Sequence, residues 1–278
     1  MQVGAMTNAV ASALSAGERD SIAETFGRIA LDAGRDVMAV YAAGCTAREK
    51  ADSSPVTEAD ERAEAIILAA LAKELPGMPV VAEESVARGG APSCGARFIL
   101  VDPLDGTREF LAQNGEFTVN IALIDSGAPV AGAVYAPALS KLYLGGASAS
   151  LCTAAPGGDL PAAANRRRIE ARAPGVEGLV ALCSRSHGDP QTEAFLAGLN
   201  IADRVNAGSS LKFCLIAEGL ADVYPRFGPT MEWDIAAGEA VLRAAGGRVV
   251  DATGVPMRYG KAENAFRNGP FVAWGRSV

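Results

Sequence analysis

A single histidine, His187, stands in 278 residues, and that scarcity excludes a zinc site built from several histidines. Cysteine is also sparse. Cys45, Cys94, Cys152, Cys183 and Cys214 are scattered, odd in number and form no C-x-x-C pair. The pattern predicts reduced thiols in a cytoplasmic protein rather than a disulfide framework. Positive charge is in deficit: 25 lysines and arginines face 32 aspartates and glutamates, a formal net charge of −7. General nucleic-acid binding, which needs a basic surface, is therefore not expected. A small phosphorylated molecule stays within reach, through a local positive site or bound cations. No uncharged apolar run approaches about 18 residues, so no transmembrane helix is predicted. A peripheral encounter with the cytoplasmic side of the inner membrane stays compatible with the sequence, and oligomeric state, a homodimer included, is left open. Residues 1–19 lack the basic start and solid apolar stretch of a signal peptide and read as an extension or first helix.

What is present is enough apolar material, 49% of residues, for a large core in one domain or two joined halves. Ile22, Phe26, Ile29, Ala30 and Val37 predict a helix over 20–43, followed by the polar loop "TAREKADSSP". Ala63, Ile66, Ile67, Ala70 and Leu71 predict a second helix, stopped by Pro76-Gly77. "MPVVAEES" reads as a strand ending in acids. "RFILV", "FTVNIALI", "PVAGAVYAP" and "KLYLGG" read as successive strands of a meander. Residues 145–178, rich in Ala, Gly and Pro, read as a surface excursion with at most one short strand. They suggest a boundary between an N-terminal half, 20–145, and a C-terminal half, 146–278. In the second half "GLVALCSRS" and "LADVYPRF" read as strands, and "RVVDA" as the last one. "QTEAFLAGL", "SSLKFCLIAEG" and "WDIAAGEAVLRAAGG" read as helices. The class is α+β in stacked layers, not an all-parallel sheet.

Acids collect at the ends of these elements: Asp60, Glu83, Glu84, Asp102, Asp105 and Asp234. Several have plain structural readings. Thr57 and Asp60 have capping-box spacing, and Asp234 suits a helix N-terminus. The run "VDPLDGT" is harder to explain that way. An apolar strand, Phe98 to Val101, delivers Asp102 and Asp105 to one spot with no lysine or arginine between them. At roughly 4 Å and an effective dielectric near 20, two such charges repel by about 4 kcal/mol. A hard divalent cation offsets that repulsion, and oxygen-only ligands point to Mg²⁺, with Mn²⁺ as a substitute. Gly106 and Thr107 then resemble a helix start able to hold a phosphate. Asp60, at an inward-facing helix mouth, could orient or deprotonate an attacking water through Thr107.

"AEES", "VDPLDGTREF" and "WDIAAGEAVLRAAGG" resemble the three signature segments of the inositol monophosphatase superfamily of Mg²⁺-dependent, Li⁺-sensitive phosphatases. The likeness runs from about residue 20 to the end. "KADSSPVTEAD", "DGTREF…NGEFTVNIALI" and "GSSLKFCLIAEGLADVYPRFGPT" resemble more narrowly the CysQ branch. Those enzymes are 3′(2′),5′-bisphosphate nucleotidases, which remove the 3′-phosphate of adenosine 3′,5′-bisphosphate left by sulfate assimilation. The resemblance implies a layered α-β-α-β-α sandwich of the inositol monophosphatase and fructose-1,6-bisphosphatase type. It implies metal ligands at Glu83, Asp102, the Leu104 carbonyl, Asp105 and Asp234, and water activation by Asp60 and Thr107. It implies a phosphate turn at Gly106-Thr107 and nucleotide contacts at His187, Ser209, Lys212 and Arg226, with Lys50 near the metals. Each of the last group has a plainer reading: a surface or core histidine, a helix N-cap at Ser209, solvated cations at Lys212 and Arg226. "MEWD" departs from the family's pattern beside Asp234 and is expected to act on substrate contacts, if at all.

Two other functions fit the same residues. The site could serve inositol monophosphate, histidinol phosphate or a sugar bisphosphate, a choice that falls to the second half of the chain. An inactive nucleotide- or metal-binding protein is the third, against which every expected ligand position is still an acid.

Overall fold

The chain's long helices begin where capping chemistry sets them. In the computed structural model, which describes residues 13–44, 46–49, 55–90, 92–184 and 188–276, α1 spans Ala16–Ala43. It starts one turn before the predicted residue 20 because Ser15 and Glu18 close a capping box: Glu18 N–H donates to Ser15 Oγ (3.3 Å), and Ser15 N–H to Glu18 Oε2 (2.8 Å). In the predicted polar loop, β1 (Arg48–Glu49) and β2 (Pro55–Val56) pair antiparallel. Thr57 then caps α2 (Glu58–Glu74). Lys50 and His187 lie outside the described residues.

The first sheet follows: β3 (Val80–Ala82), α3 (Glu83–Ala87), β4 (Arg97–Asp105), α4 (Thr107–Leu111), β5 (Thr118–Asp125), β6 (Ala128–Ala136), β7 (Lys141–Gly145), β8 (Ala149–Thr153) and β9 (Arg167–Ile169). Its seven strands run in chain order, β3 parallel to β4 and every later pair antiparallel. Two expectations change here. Glu83 and Glu84 open a helix rather than end a strand. The stretch 145–178 contributes two strands to this sheet instead of lying wholly on the surface. Small residues hid β8, whose Ala149 and Cys152 are buried, and β9 is a three-residue strand with only Ile169 buried. Gly145 lets α7 lie against the sheet: a Cβ there would fall 2.5 Å from Val241 Cα.

The rest forms β10 (Leu179–Ser184), α5 (Pro190–Ala197), β11 (Ile201–Ala207), α6 (Leu211–Ala217), β12 (Val223–Arg226), β13 (Thr230–Met231), α7 (Glu232–Ala244), β14 (Arg248–Asp251), β15 (Arg267–Asn268) and β16 (Phe271–Trp274). A second, mixed sheet has the order β11-β10-β12-β16-β14. So β14 is not the last strand, and β16 lies between β12 and β14. β11 also escaped the sequence reading. It is an edge strand, largely exposed, without the apolar alternation that marks a half-buried one.

Three cores stack between the layers. α1 and α2 pack on one face of the first sheet around Phe26, Ile67 and Tyr135. α6 and α7 fill the space between the two sheets around Tyr143, Phe213, Val241 and Phe271. α5 covers the far face of the second sheet through Leu196 and Phe195. The architecture is the expected α-β-α-β-α sandwich. Among the described residues no helix is long and apolar enough to cross a membrane. Cys94, Cys152, Cys183 and Cys214 are free thiols.

Candidate active site

Strand geometry alone would send Asp102 and Asp105, three positions apart, to opposite faces of the sheet. An irregularity corrects this. Asp102 pairs with Asn120 and Asp105 with Thr118, so three steps along β4 match two along β5. The extra residue is a β-bulge at Pro103-Leu104, where proline has no N–H to lose from the ladder. Both acids now share one face. Gly106 then turns the chain at φ 92°, and α4 starts at Thr107. A Cβ on Gly106 would stand 3.2 Å from the Glu116 carbonyl oxygen and 3.3 Å from Ser209 Cβ. Gly106→Ala is therefore expected to destabilise the fold by about 1–3 kcal/mol, read by urea denaturation. An unchanged midpoint would show that the turn tolerates a side chain.

Other elements bring further acids to the same place. Glu83 is the first residue of α3 and Asp234 lies in the first turn of α7. Glu83, Asp105 and Asp234 line one cavity of about 270 Å³, with Gly106, Thr107, Ser209, Lys212 and Arg226. Asp102 and Leu104 are buried behind that wall, as is Asp60. Burial, with the charges of Glu83, Asp105 and Asp234 close by, pushes the Asp102 carboxyl well above the usual range. Asp234 is driven up in the same way, by burial first and then by Asp105 and Glu83. Asp105 rises to about 6, again mainly through burial, while Lys212 and the Ser210 N–H hold it down. Each of these three carboxylates is oriented by one backbone donor: Leu104 N–H on Asp102 (3.0 Å), Ser210 N–H on Asp105 (2.6 Å) and Met231 N–H on Asp234 (2.7 Å).

The donor set is all oxygen, which suits a hard divalent cation. Buried like charges that raise each other's pKa are the electrostatic counterpart of that fit. Among the described residues, no group of three or more His, Cys, Asp or Glu side chains could hold a metal ion as it stands. The acids share one neighbourhood without closing on a single point.

Asp60 has both of its anticipated roles available. Its Oδ2 accepts the Thr57 N–H (2.8 Å) and hydroxyl (2.7 Å), completing the capping box. Its Oδ1 accepts a long bond from the Thr107 hydroxyl, 3.4 Å, with the Leu104 carbonyl at the same distance as the rival acceptor.

In the same cavity, Lys212 is buried, and its Nζ donates to the carbonyls of Ala207 (3.1 Å) and Ser209 (2.7 Å). Burial lowers its pKa to about 8, against the pull of Asp105. The buried Nε of Arg226 has no hydrogen-bond partner among the described residues. Neither cation is simply solvated. Ser209 is not an N-cap: α6 begins after Ser210, and Ser209 has a positive φ of 44°. Glu232 of "MEWD" does not reach the cavity either. It is fully buried and accepts the N–H groups of Gly260 (2.8 Å) and Lys261 (2.9 Å), tying that loop to α7.

Sequence reasoning missed Glu64. One turn after Asp60 on the buried face of α2, it accepts the Glu84 N–H (2.7 Å) and the Ser85 hydroxyl (2.7 Å). It thereby fixes the start of α3, which carries Glu83. Its spacing of four from Asp60 was the available signal.

Comparison with known proteins converges on the same residues' family. The model of the inositol monophosphatase family matches residues 18–272. The 3′(2′),5′-bisphosphate nucleotidase CysQ of Escherichia coli K12 is 42% identical, covering 87% of this chain and 95% of the relative. The CysQ of Buchnera aphidicola is 38% identical over 88% of this chain and 91% of its own. Among solved structures, CysQ from Bacteroides thetaiotaomicron superposes with a TM-score of 0.77 at 38% identity, covering 93% of this chain and 98% of that one. An acid-walled cavity at a bulged strand end, in a five-layer sandwich whose sequence matches nearly end to end, leaves one assignment: the chain belongs to the inositol monophosphatase family.

Proposed function

We propose that this phosphatase hydrolyses the 3′-phosphate of adenosine 3′,5′-bisphosphate, using Mg²⁺. One observation carries the reading: a single cavity is lined by Glu83, Asp105 and Asp234 and by the cations Lys212 and Arg226. A monophosphate needs the acid side, with its cations, and the phosphate turn. A second phosphate gives the buried Lys212, and the Arg226 Nε that has no hydrogen-bond partner among the described residues, a reason to be there. Relatives named as 3′(2′),5′-bisphosphate nucleotidases, at 42% identity, support the same substrate class. The reading also assigns the chain to the cytoplasm.

Glu83, Asp102, Asp105, Asp234 and the Leu104 carbonyl would hold the cation. When bound, such an ion polarises the phosphoryl oxygen and lowers the pKa of a bound water. The chain's own groups do the rest. Thr107 Oγ1 has one proton and two acceptors at 3.4 Å. The charged Asp60 carboxylate is the stronger acceptor. With its proton directed there, Thr107 presents a lone pair to the attacking water, takes a proton from it and passes its own hydroxyl proton to Asp60. As the new phosphorus–oxygen bond forms, the bond from phosphorus to the 3′-oxygen breaks, and that oxygen leaves as the nucleotide hydroxyl on taking a proton from solvent. Asp60 can act without swinging, because Thr57 pins its other oxygen. Gly106 and Thr107 main-chain N–H groups hold the phosphoryl oxygens, and Lys212, Ser209 and Arg226 hold the remainder of the nucleotide.

Phosphate release with Mg²⁺ from adenosine 3′,5′-bisphosphate, inositol 1-phosphate, histidinol phosphate and fructose 1,6-bisphosphate tests the reading. The adenosine bisphosphate is expected to give the highest kcat/KM, with inhibition by Li⁺. Preference for inositol 1-phosphate would overturn the substrate assignment, and failure on all four would overturn the activity.

A further inference from the structure

β5 carries two polar side chains, Thr118 and Asn120, on the one face where a sheet in the core of the molecule should be apolar. Both are fully buried, at 0% and 1% exposed. Their register is the informative point: Thr118 stands directly across from Asp105 and Asn120 directly across from Asp102. Directly opposed residues keep their Cβ atoms about 4.5–5.5 Å apart on the same face. Each acid of the pair thus has its own polar companion on the neighbouring strand.

The companions are joined by Ser210, from the turn before α6. The Ser210 hydroxyl donates to Asn120 Oδ1 at 2.8 Å. It also lies 2.8 Å from Thr118 Oγ1. Ser210 has one hydroxyl proton, and Asn120 takes it, so Thr118 is the donor in the second bond. The main-chain N–H of the same Ser210 donates to Asp105 Oδ2 at 2.6 Å. A continuous chain therefore runs from Asn120, opposite one acid, through Ser210 to the carboxylate of the other. The amide end of Asn120 is unspent: its buried Nδ2 has no hydrogen-bond partner among the described residues. A buried donor left unpaired is unfavourable, and buried polar networks are normally complete. Beside a group of carboxylates, a spare N–H₂ can orient an Asp102 oxygen.

Resting on the reading of Asp102 and Asp105 as cation ligands, we propose that Asn120 and Ser210 are positioning residues that set the angle between those two carboxylates. Asn120 fixes Ser210 by its carbonyl and holds its unspent amide on the strand position opposite Asp102, where it can meet that carboxylate, and Ser210 fixes Asp105 by its backbone. The same network locks α6, with Lys212, onto the first sheet, so Asp102, Asp105 and Lys212 share one support.

The experiment compares wild type, Asn120→Ala and Ser210→Ala with Ile121→Val, a core change on the opposite face of β5 that loosens packing without touching the network. Mn²⁺ is titrated into metal-free protein and bound metal is read by electron paramagnetic resonance. The Mg²⁺ concentration giving half-maximal phosphate release is measured in parallel, with a urea midpoint for each variant. Asn120→Ala and Ser210→Ala are expected to weaken Mn²⁺ binding and raise the Mg²⁺ requirement by about 10–100-fold, the usual effect of removing a partner of a metal ligand. Ile121→Val should lower the midpoint and leave both metal readings alone. Should Asn120→Ala not fold, Asn120→Ser, which keeps a hydroxyl acceptor for Ser210, takes its place with a smaller shift of the same sign. Metal readings that stay at wild-type values in the folded Asn120 variant, or move no more than in Ile121→Val, overturn the proposal. Wild type that binds no Mn²⁺ overturns instead the cation reading beneath it.

Discussion

Asp102→Asn is expected to lower kcat by about 10³-fold and, in the same protein, to raise the melting temperature of the metal-free sample. The first effect is the loss of a charged ligand. A bound cation contributes several kcal/mol of charge stabilisation in the transition state, and each 1.36 kcal/mol is tenfold in rate. The second effect comes from electrostatics that the metal-free fold carries at all times. Asp102 is buried beside Glu83, Asp105 and Asp234, and its pKa is raised well above the usual value. For an acid with a raised folded pKa, the folded state holds the proton more tightly than the unfolded state. The stability of the protonated form is present at low pH and is lost as pH rises through the folded pKa. At pH 7 the wild type therefore carries a penalty that a neutral asparagine removes. Asn also keeps the Oδ1 that accepts the Leu104 N–H, so local geometry survives. A gain of about 1 kcal/mol, a common size for one site, moves Tm by about 2–4 °C in a chain of this length. The advantage should shrink as pH falls from the raised folded pKa of Asp102 toward the unfolded-state value near 4. Mg²⁺ should reverse the order, raising the wild-type Tm and leaving the variant's unchanged. Calorimetry at pH 7 and pH 5, with and without Mg²⁺, reads all of this. Full activity in the variant, or a metal-free variant less stable than wild type at pH 7, would remove Asp102 from the ligand set.

Much of this geometry was legible in the sequence for reasons that stay local. A strand ending in "VDPLDGT" announces its own bulge, because Pro103 and Gly106 dictate backbone and the acids stand three apart. The capping boxes at Ser15 and Thr57 are spelled within four residues, although only the second was read. Contacts between distant segments left no such mark. Asn120 and Ser210 lie 90 positions apart, and each alone looks like an ordinary polar residue in a strand or at a helix start. Glu64 looks like one more surface charge until α3 is laid across it. β8 and β9 were obscured for a different reason. β8, ASLCT, has mostly small side chains that carry little of the alternation by which strands are recognised, and β9 is only three residues long and begins with two exposed arginines. Ser209 shows the limit in reverse: a serine before a helix has the signature of a cap, yet its positive φ gives it to the turn facing Gly106.

Lys212→Met is expected to raise KM for adenosine 3′,5′-bisphosphate by about 10–100-fold, with a much smaller change for inositol 1-phosphate. A hydrogen bond to a charged group contributes about 1.5–3 kcal/mol, and 1.4 kcal/mol is tenfold in affinity. Lys212 donates two of its three N–H groups to Ala207 and Ser209, which leaves one for a second phosphate. Methionine fills the same space, so lost packing is not the main effect, although two carbonyls lose a donor. The pH dependence separates the charge from that structural loss. Burial brings the Lys212 pKa down to about 8. Its cationic fraction therefore falls as pH rises through 8, and kcat/KM for the bisphosphate should fall with it between pH 7 and pH 9. The substrate does not confuse the profile, since a phosphate monoester's second pKa lies near 6. Lys212→Arg, which stays charged throughout, should flatten this limb while retaining part of the affinity. Inositol 1-phosphate, with no second phosphate to hold, should show little of it in any variant. Equal KM changes for both substrates, or a wild-type profile for the bisphosphate that is flat from pH 7 to pH 9, would make Lys212 a structural clamp on the Ala207–Ser209 turn and detach it from substrate recognition.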